Sequence, residues 1–293
     1  MSLAGQQYIG PYRLLNVVKT GQTSQVWAAI NDKNQERYAI KLLLADFRAD
    51  RQHVAYMKNE FAVGRALDHQ RICRIFEYGV GGKIPYLAME FFPYPNMKDI
   101  IQHVLDKVAF MIPTIIERAA EGLAYLNEQG WVHRDVKPDN FLVNEEGDVK
   151  LIDFALALRI KGGLSRIFSR KSKIQGTRSY MSPEQIRGKP LGVQSDVYSF
   201  GCTVFHLLAA QPPFTGVSSN ELLTKHLRTT PPPIEAYNRQ VTPEFSQLLQ
   251  ATMAKRPQAR PASLGDFLRE FRSIKVFKEP PRPIPSHGRE SAA

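Results

Sequence analysis

Cysteine is scarce in this chain. Cys73 and Cys202 are the only two among 293 residues, too few for a disulfide framework, so a reducing cytosol and free thiols are expected. No Cys/His cluster has the spacing of a zinc site. Long apolar runs are also missing: none approaches the ~20 residues of a membrane span. The opening "MSLAGQQYIGPYRLL" lacks the basic-then-apolar layout of a secretory signal. These absences point to a cytoplasmic chain without a membrane span. The net charge is +11, yet there is no Cys-Cys-His-His finger and no aromatic-rich RNA-binding signature, so nucleic acid is not an expected partner. Acidic residues are absent from 159–173, "RIKGGLSRIFSRKSK". Much of the basic excess is therefore local, and such a run is most often a solvated loop.

What is present suits a globular protein. Hydrophobic residues make up 43% and charged ones 23%, and the length allows one large domain or two lobes with substantial cores. No internal repeat is found. Residues 8–45 alternate like strands, broken by "KTGQTSQ" and "INDKNQE". In "RYAIKLLL", alternation puts Ala39, Lys41 and Leu43 on one strand face and Tyr38, Ile40 and Leu42 on the other. A helix is expected over 51–67, with strands at 72–79 and 84–91. "FFPYPNM" reads as a connector. Beyond it Ile112, Ile116, Ala119, Leu123 and Leu126 recur at spacings of four and three, one face of a helix ended by Gly130. "FLVN" and "VKLID" form a strand pair turned by "EEGD". Residues 196–209 are apolar nearly all round, a buried helix. The tail "KEPPRPIPSHGRESAA" is proline-rich and polar, and disorder is expected there. A small β-rich lobe, a connector and a larger helical lobe would leave a cleft, a common place for a ligand.

One acid in this pattern needs a reason. Asp153 stands inside "LIDFALAL", where an unpaired buried charge is costly. Upstream, "HRDVKPDN" crowds Asp135, Lys137 and Asn140 into six positions. Carboxylates and a carboxamide oxygen are hard ligands suited to Mg²⁺. A carboxylate can orient or deprotonate a hydroxyl, and an ammonium can neutralise a phosphate.

These stretches resemble the protein kinase family. "HRDVKPDN" is similar to its catalytic loop, "YAIK" to its strand lysine motif, "DFA" to its Asp-Phe-Gly metal motif with one change, and "SPE" at 182–184 to its Ala-Pro-Glu. The resemblance spans roughly 8–275 and implies an α+β, bilobal fold with the active site between the lobes. The implied kinase domain covers 8–275, with a small lobe at about 8–90 and a large lobe at about 94–275. Residues 276–293 would be the tail. The resemblance implies ATP with Mg²⁺ or Mn²⁺ as cofactors and Ser/Thr hydroxyls of proteins as acceptors, as in bacterial relatives of the eukaryotic enzymes. Lys41 would contact the α- and β-phosphates and pair with Glu60. Asp135 would accept or orient the acceptor proton, Lys137 would neutralise the moving phosphoryl group, and Asn140 and Asp153 would hold the metal. Thr177 would bond Asp135 and Lys137. Adenine would lie between Val18, Val26 and Ala39 above and Leu142 below, with Gly21 in the loop that covers the phosphates. Met89 would gate the rear, followed by hinge residues Glu90, Phe91 and Phe92. Glu184 and Arg260 would form a buried pair, and Asp196 would cap the catalytic loop. Arg134 would meet a phosphate on the activation segment, where autophosphorylation at Ser169 or Ser172 is expected.

Three positions depart from the family pattern. The phosphate loop, "KTGQTSQV", carries Lys19, Gly21 and Ser24 where three glycines are usual. Ala155 replaces the metal motif's glycine, and alanine disfavours positive φ. Gly64 stands one turn after Glu60, where a bulky apolar residue is usual, and is expected to weaken packing and helix propensity there. Every residue with a direct chemical role is present, so an active kinase is expected. The alternative is a pseudokinase that binds nucleotide or acts as a scaffold. A small-molecule kinase is disfavoured by "GTRSYMSPE", which resembles a peptide-docking segment. The chain is expected to be a stand-alone enzyme or an excised domain.

Overall fold

A computed structural model describes residues 8–160 and 175–282. The smaller lobe is an antiparallel sheet made from β1 (Tyr8–Ile9), β2 (Tyr12–Thr20), β3 (Ser24–Asn31), β4 (Arg37–Leu43), β5 (Ile75–Gly81) and β6 (Ile84–Glu90), in the order β1-β2-β3-β4-β6-β5. Helix α1 (Arg51–Gly64) packs against it. It begins where Asp50 accepts the amides of Gln52 and His53, which satisfies donors that a helix start leaves unpaired. The expected helix and strands are thus found, with ends shifted by a few residues.

The larger lobe is helical. It contains α2 (Met97–His103), α3 (Leu105–Val108), α4 (Ile112–Glu128), α5 (Pro183–Ile186), α6 (Val193–Ala209), α7 (Ser219–Arg228), α8 (Pro243–Thr252) and α9 (Leu264–Phe271). Short strands β7 (Trp131–Val132), β8 (Phe141–Val143), β9 (Val149–Leu151) and β10 (Leu158–Arg159) form two small sheets, β8 with β9 and β10 with β7. All five periodic residues of α4 are buried, and α6 is buried nearly all round. Behind the cleft the lobes are stitched by backbone. Cys73 N–H donates to Leu151 O (3.0 Å) and Leu151 N–H to Arg71 O (2.8 Å). Among the described residues no helix is long and apolar enough to cross a membrane.

Two sequence expectations need correction. The fold does not stop at residue 275. Val276 and Phe277 are buried, Thr242 N–H donates to Val276 O (3.0 Å), and Lys278 N–H to Gln240 O (2.7 Å). Two apolar side chains just ahead of the proline-rich stretch close the core. Residues 283–293 lie outside the described residues. Gly64 is not a packing defect either. A β-carbon there would stand 2.5 Å from Ile75 Cδ1, so Ile75 of β5 already fills the space that a larger residue on α1 would take.

A buried histidine gives the large lobe a pH-dependent stability. His226 on α7 is fully buried. Lys255 Nζ donates to the Tyr198 hydroxyl (3.3 Å), which leaves the hydroxyl proton for His226 Nδ1 (3.0 Å). Burial and the Lys255 ammonium push His226 down from 6.5 to about 4. Protonation would remove the acceptor and place a second cation beside Lys255. The unfolded chain takes the proton more readily, so this contribution is present above 6.5 and is lost as pH falls toward 4. Between pH 7 and 5 the loss should be about 2 kcal/mol. Urea denaturation at both pH values should show it, and His226→Gln should lack it; equal acid sensitivity in the two proteins would contradict the assignment.

Candidate active site

Three charged side chains meet at the back of the cleft. Lys41 lies on the cleft face of β4, because alternation turns Ile40 and Leu42 into the small-lobe core. Its Nζ sits 2.7 Å from Glu60 Oε2 on α1 and 3.4 Å from Asp153 Oδ1. Glu60 is buried, and burial pushes its carboxyl up to about 7 against the pull of Lys41. Desolvation would lower Lys41, but the two carboxylates outweigh it and hold the ammonium above its ordinary value. Desolvation would raise Asp153; Lys41, with His133 and Lys137, keeps it below the usual carboxylate range. Asp153 thus has a cation partner in the protein itself.

A second cluster lies in front. Asp135 Oδ2 is 2.6 Å from Lys137 Nζ. Its Oδ1 accepts from the Thr177 amide (2.8 Å) and hydroxyl (3.0 Å), and Lys137 Nζ also donates to Thr177 Oγ1 (2.8 Å). Asn140 donates its amide to Asp135 O (2.8 Å), which turns its own oxygen the other way. Ile152 N–H donates to Asn140 O (3.0 Å), which ties the backbone of Asn140 to the residue before Asp153. The loop is held from below by Asp196 of α6, which accepts from the amides of His133 (2.8 Å) and Arg134 (3.0 Å) and from Asn127 Nδ2 (2.9 Å). The His133 ring accepts from Asp135 N–H at Nδ1 (3.3 Å), so its proton is on Nε2, facing Ile152 O (3.2 Å). Arg134 and Asp153 both have positive φ, 71° and 66°, strain of the kind that collects at functional sites.

The residues expected to line adenine divide between the lobes. Cross-strand pairs Val26↔Lys41 and Ala39↔Met89 put Val26, Ala39, Lys41 and Met89 on one sheet face. Val18 lies on β2 at a register shift and is half exposed. Gly21 turns the loop between β2 and β3, its amide donating to Ser24 O (2.8 Å). Phe91 follows β6 in the connector, and Leu142 is on β8 in the large lobe. Glu90 does more than mark the hinge: Lys150 of β9 lies 2.7 Å from its Oε1, tying the connector to the large lobe. Ala155 lies outside the left-handed region; the positive φ belongs to Asp153. The alanine therefore fits its backbone without strain.

The buried Glu184–Arg260 pair is present and bidentate, at 2.7 and 2.9 Å. Ser169 and Ser172 lie outside the described residues. Sequence reasoning missed three polar side chains. Tyr56 and Asn59 of α1 both reach the site: Gln175 bridges the Tyr56 hydroxyl (2.5 Å) and Arg134 Nη2 (3.0 Å), and Asn59 contacts the segment after Asp153. Tyr56, one turn before Glu60, shares its side of the helix, whereas Asn59, one position before it, is turned about 100° away, and nothing local in sequence names their partners.

Comparison with known proteins agrees with this geometry. The protein kinase domain family matches residues 12–270. The chain is 29% identical to the serine/threonine-protein kinase PknA of Mycobacterium tuberculosis over 97% of its own length and 66% of the relative's. It is 30% identical to the serine/threonine-protein kinase PknB of Mycolicibacterium smegmatis over 85% of its length and 40% of the relative's. It is 28% identical to a PknA of Corynebacterium glutamicum, with 95% and 59% covered. The chain thus spans between two fifths and two thirds of these relatives. With the bilobal fold, the Lys41–Glu60 pair and the Asp135 loop in place, the chain belongs to the protein kinase family.

Proposed function

We propose that this chain transfers the γ-phosphate of ATP to Ser and Thr hydroxyls of proteins. The observation that carries the reading is the Asp135–Lys137–Thr177 cluster. Asp135 accepts three hydrogen bonds or ion contacts that fix both its oxygens, so a hydroxyl entering the cleft meets a preorganised base. Lys137, already beside that carboxylate, is positioned to balance charge on the transferred group. Lys41, aligned by Glu60, would hold the α- and β-phosphates. Val26, Ala39 and Met89 offer adenine an apolar ceiling, with Val18, Leu142 and the backbone of Glu90 and Phe91 around it.

The donor set fits a hard divalent cation. Asp153 supplies a carboxylate kept ionised by Lys41, and Asn140 an amide oxygen turned away from its bond to Asp135. Mg²⁺, or Mn²⁺, when bound would neutralise the β- and γ-phosphate oxygens. Both cysteines are free and buried, which supports a cytoplasmic setting. Autophosphorylation at Ser169 or Ser172 is part of the proposal, supported by the basic sequence around them; mass spectrometry of active protein tests it.

The degenerate phosphate loop should weaken binding without removing chemistry. Lys19 and Ser24 keep side chains where backbone amides would approach phosphate. Loss of such uniform binding raises KM and spares kcat. Steady-state kinetics should give a high KM for ATP with turnover of ~1–100 s⁻¹. Lys19→Gly/Ser24→Gly should lower KM several-fold and leave kcat within about threefold. Folded protein that transfers no phosphate with either loop, at saturating Mg²⁺-ATP, would support the pseudokinase alternative instead.

A further inference from the structure

Helix α1 carries Asn59 into the site as well as Glu60 and Tyr56. Asn59 directly precedes Glu60, and its Nδ2 faces the carbonyls of Phe154 (3.4 Å), Ala155 (3.1 Å) and Ala157 (3.0 Å). These carbonyls belong to the backbone that leaves Asp153. A carboxamide has two N–H protons, so three oxygens share them. The same stretch is folded on itself: Ala157 N–H donates to Phe154 O (3.0 Å), and Ala155 N–H leans on Asp153 Oδ1 (3.4 Å). Phe154 is anchored separately, buried with its ring edge-on to His133 at 5.8 Å.

Asp153 needs such support. Its φ of 66° is left-handed, a conformation uncommon outside glycine though better tolerated by Asp than by most residues, and a sparsely populated conformation persists where its surroundings over-determine it. Lys41 holds the Asp153 carboxylate from one side. Asn59 gathers the following backbone from the other. We propose that Asn59 is a positioning residue: it latches the 154–157 backbone to helix α1, and thereby couples the placement of Asp153 to that of Glu60. Because the two residues are neighbours on one helix, a displacement of α1 breaks the Lys41 pair and releases the Asp153 segment together. Ala155 strengthens the device, since alanine offers the released segment fewer conformations than glycine would. The proposal rests on Asp153 being a metal ligand of a kinase, but the latch itself can be read without catalysis.

Amide hydrogen exchange on the metal-free full chain tests it, with Asn59→Ala and with Asn59→Asp, which keeps the size but replaces the donor with an acceptor. In both variants the peptide covering Asp153–Leu158 should exchange about tenfold faster, with α4 and the small-lobe sheet unchanged. In kinetics, the Mg²⁺ concentration for half-maximal rate should rise at least fivefold and kcat fall about tenfold, with KM for the protein substrate unaltered. Unchanged exchange at 153–158 in both variants would overturn the latch. So would exchange that rises equally throughout the small lobe, since that marks a role in packing alone. A wild-type chain that transfers no phosphate, yet shows local exchange on losing Asn59, would sink the kinase reading and leave the latch standing.

Discussion

Asp135→Asn is expected to lower kcat at least ~10²-fold, the scale of a positioned general base, while nucleotide affinity stays near that of the wild type. The geometry makes the substitution more damaging than its equal size suggests. One Asp135 oxygen faces the Thr177 amide and hydroxyl, and the other faces the Lys137 ammonium at 2.6 Å. Each of these neighbours has a proton to give. A carboxamide has one accepting oxygen, so its NH2 must confront donors whichever way it is turned. The variant therefore loses the proton acceptor and disturbs Lys137 and Thr177 as well. The nucleotide contacts proposed for Lys41 and the sheet face are separate from this cluster. Steady-state turnover with calorimetric nucleotide binding distinguishes the two effects. Wild-type turnover in Asp135→Asn would show the proposed mechanism to be wrong.

Arg260→Leu is expected to destabilise the large lobe by about 3–5 kcal/mol, the range found when one member of a buried ion pair is removed. The Arg260 side chain is fully buried and Glu184 nearly so. Besides its two bonds to Glu184, Arg260 donates to Ala254 O (2.7 Å) and Gln194 O (2.7 Å), and Ser195 donates to Glu184 Oε1 (2.8 Å). Burial would raise Glu184, and Arg260 outweighs it to hold the carboxylate below its ordinary value. Without Arg260 the carboxylate must stay charged in a dry site or take up a proton, and both are costly. Glu184→Leu/Arg260→Leu removes the orphaned charge and should recover part of the loss, leaving the cost of the freed carbonyls and hydroxyl. Denaturant unfolding measures both variants. A loss below about 1 kcal/mol in Arg260→Leu would mean that water or a nearby cation replaces the guanidinium.

The sequence was enough for the order of the lobes and for the local grouping of the candidate site. Period-two alternation places Lys41 and Ala39 on one face of β4 because a strand cannot turn neighbouring side chains the same way. The spacing in α4 and the all-round apolarity of α6 give a buried scaffold for the same reason at a period of 3.6. "HRDVKPDN" carries its residues within one loop, so their grouping is local and legible. Long-range partnerships were visible only through family resemblance, as with Glu60 for Lys41 and Thr177 for Asp135. Tertiary structure decided the rest. Gly64 looks like a weak point until Ile75, eleven positions on, is seen filling the space. Val276 and Phe277 look like the start of a tail until they pair with Val241 and Thr242. Asn59 looks like an ordinary polar helix residue until three carbonyls from residues 154–157 close on it. Backbone carbonyls are the same at every position, so no residue type announces which of them will be presented. Only the packing of α1 against the segment after Asp153 selects them.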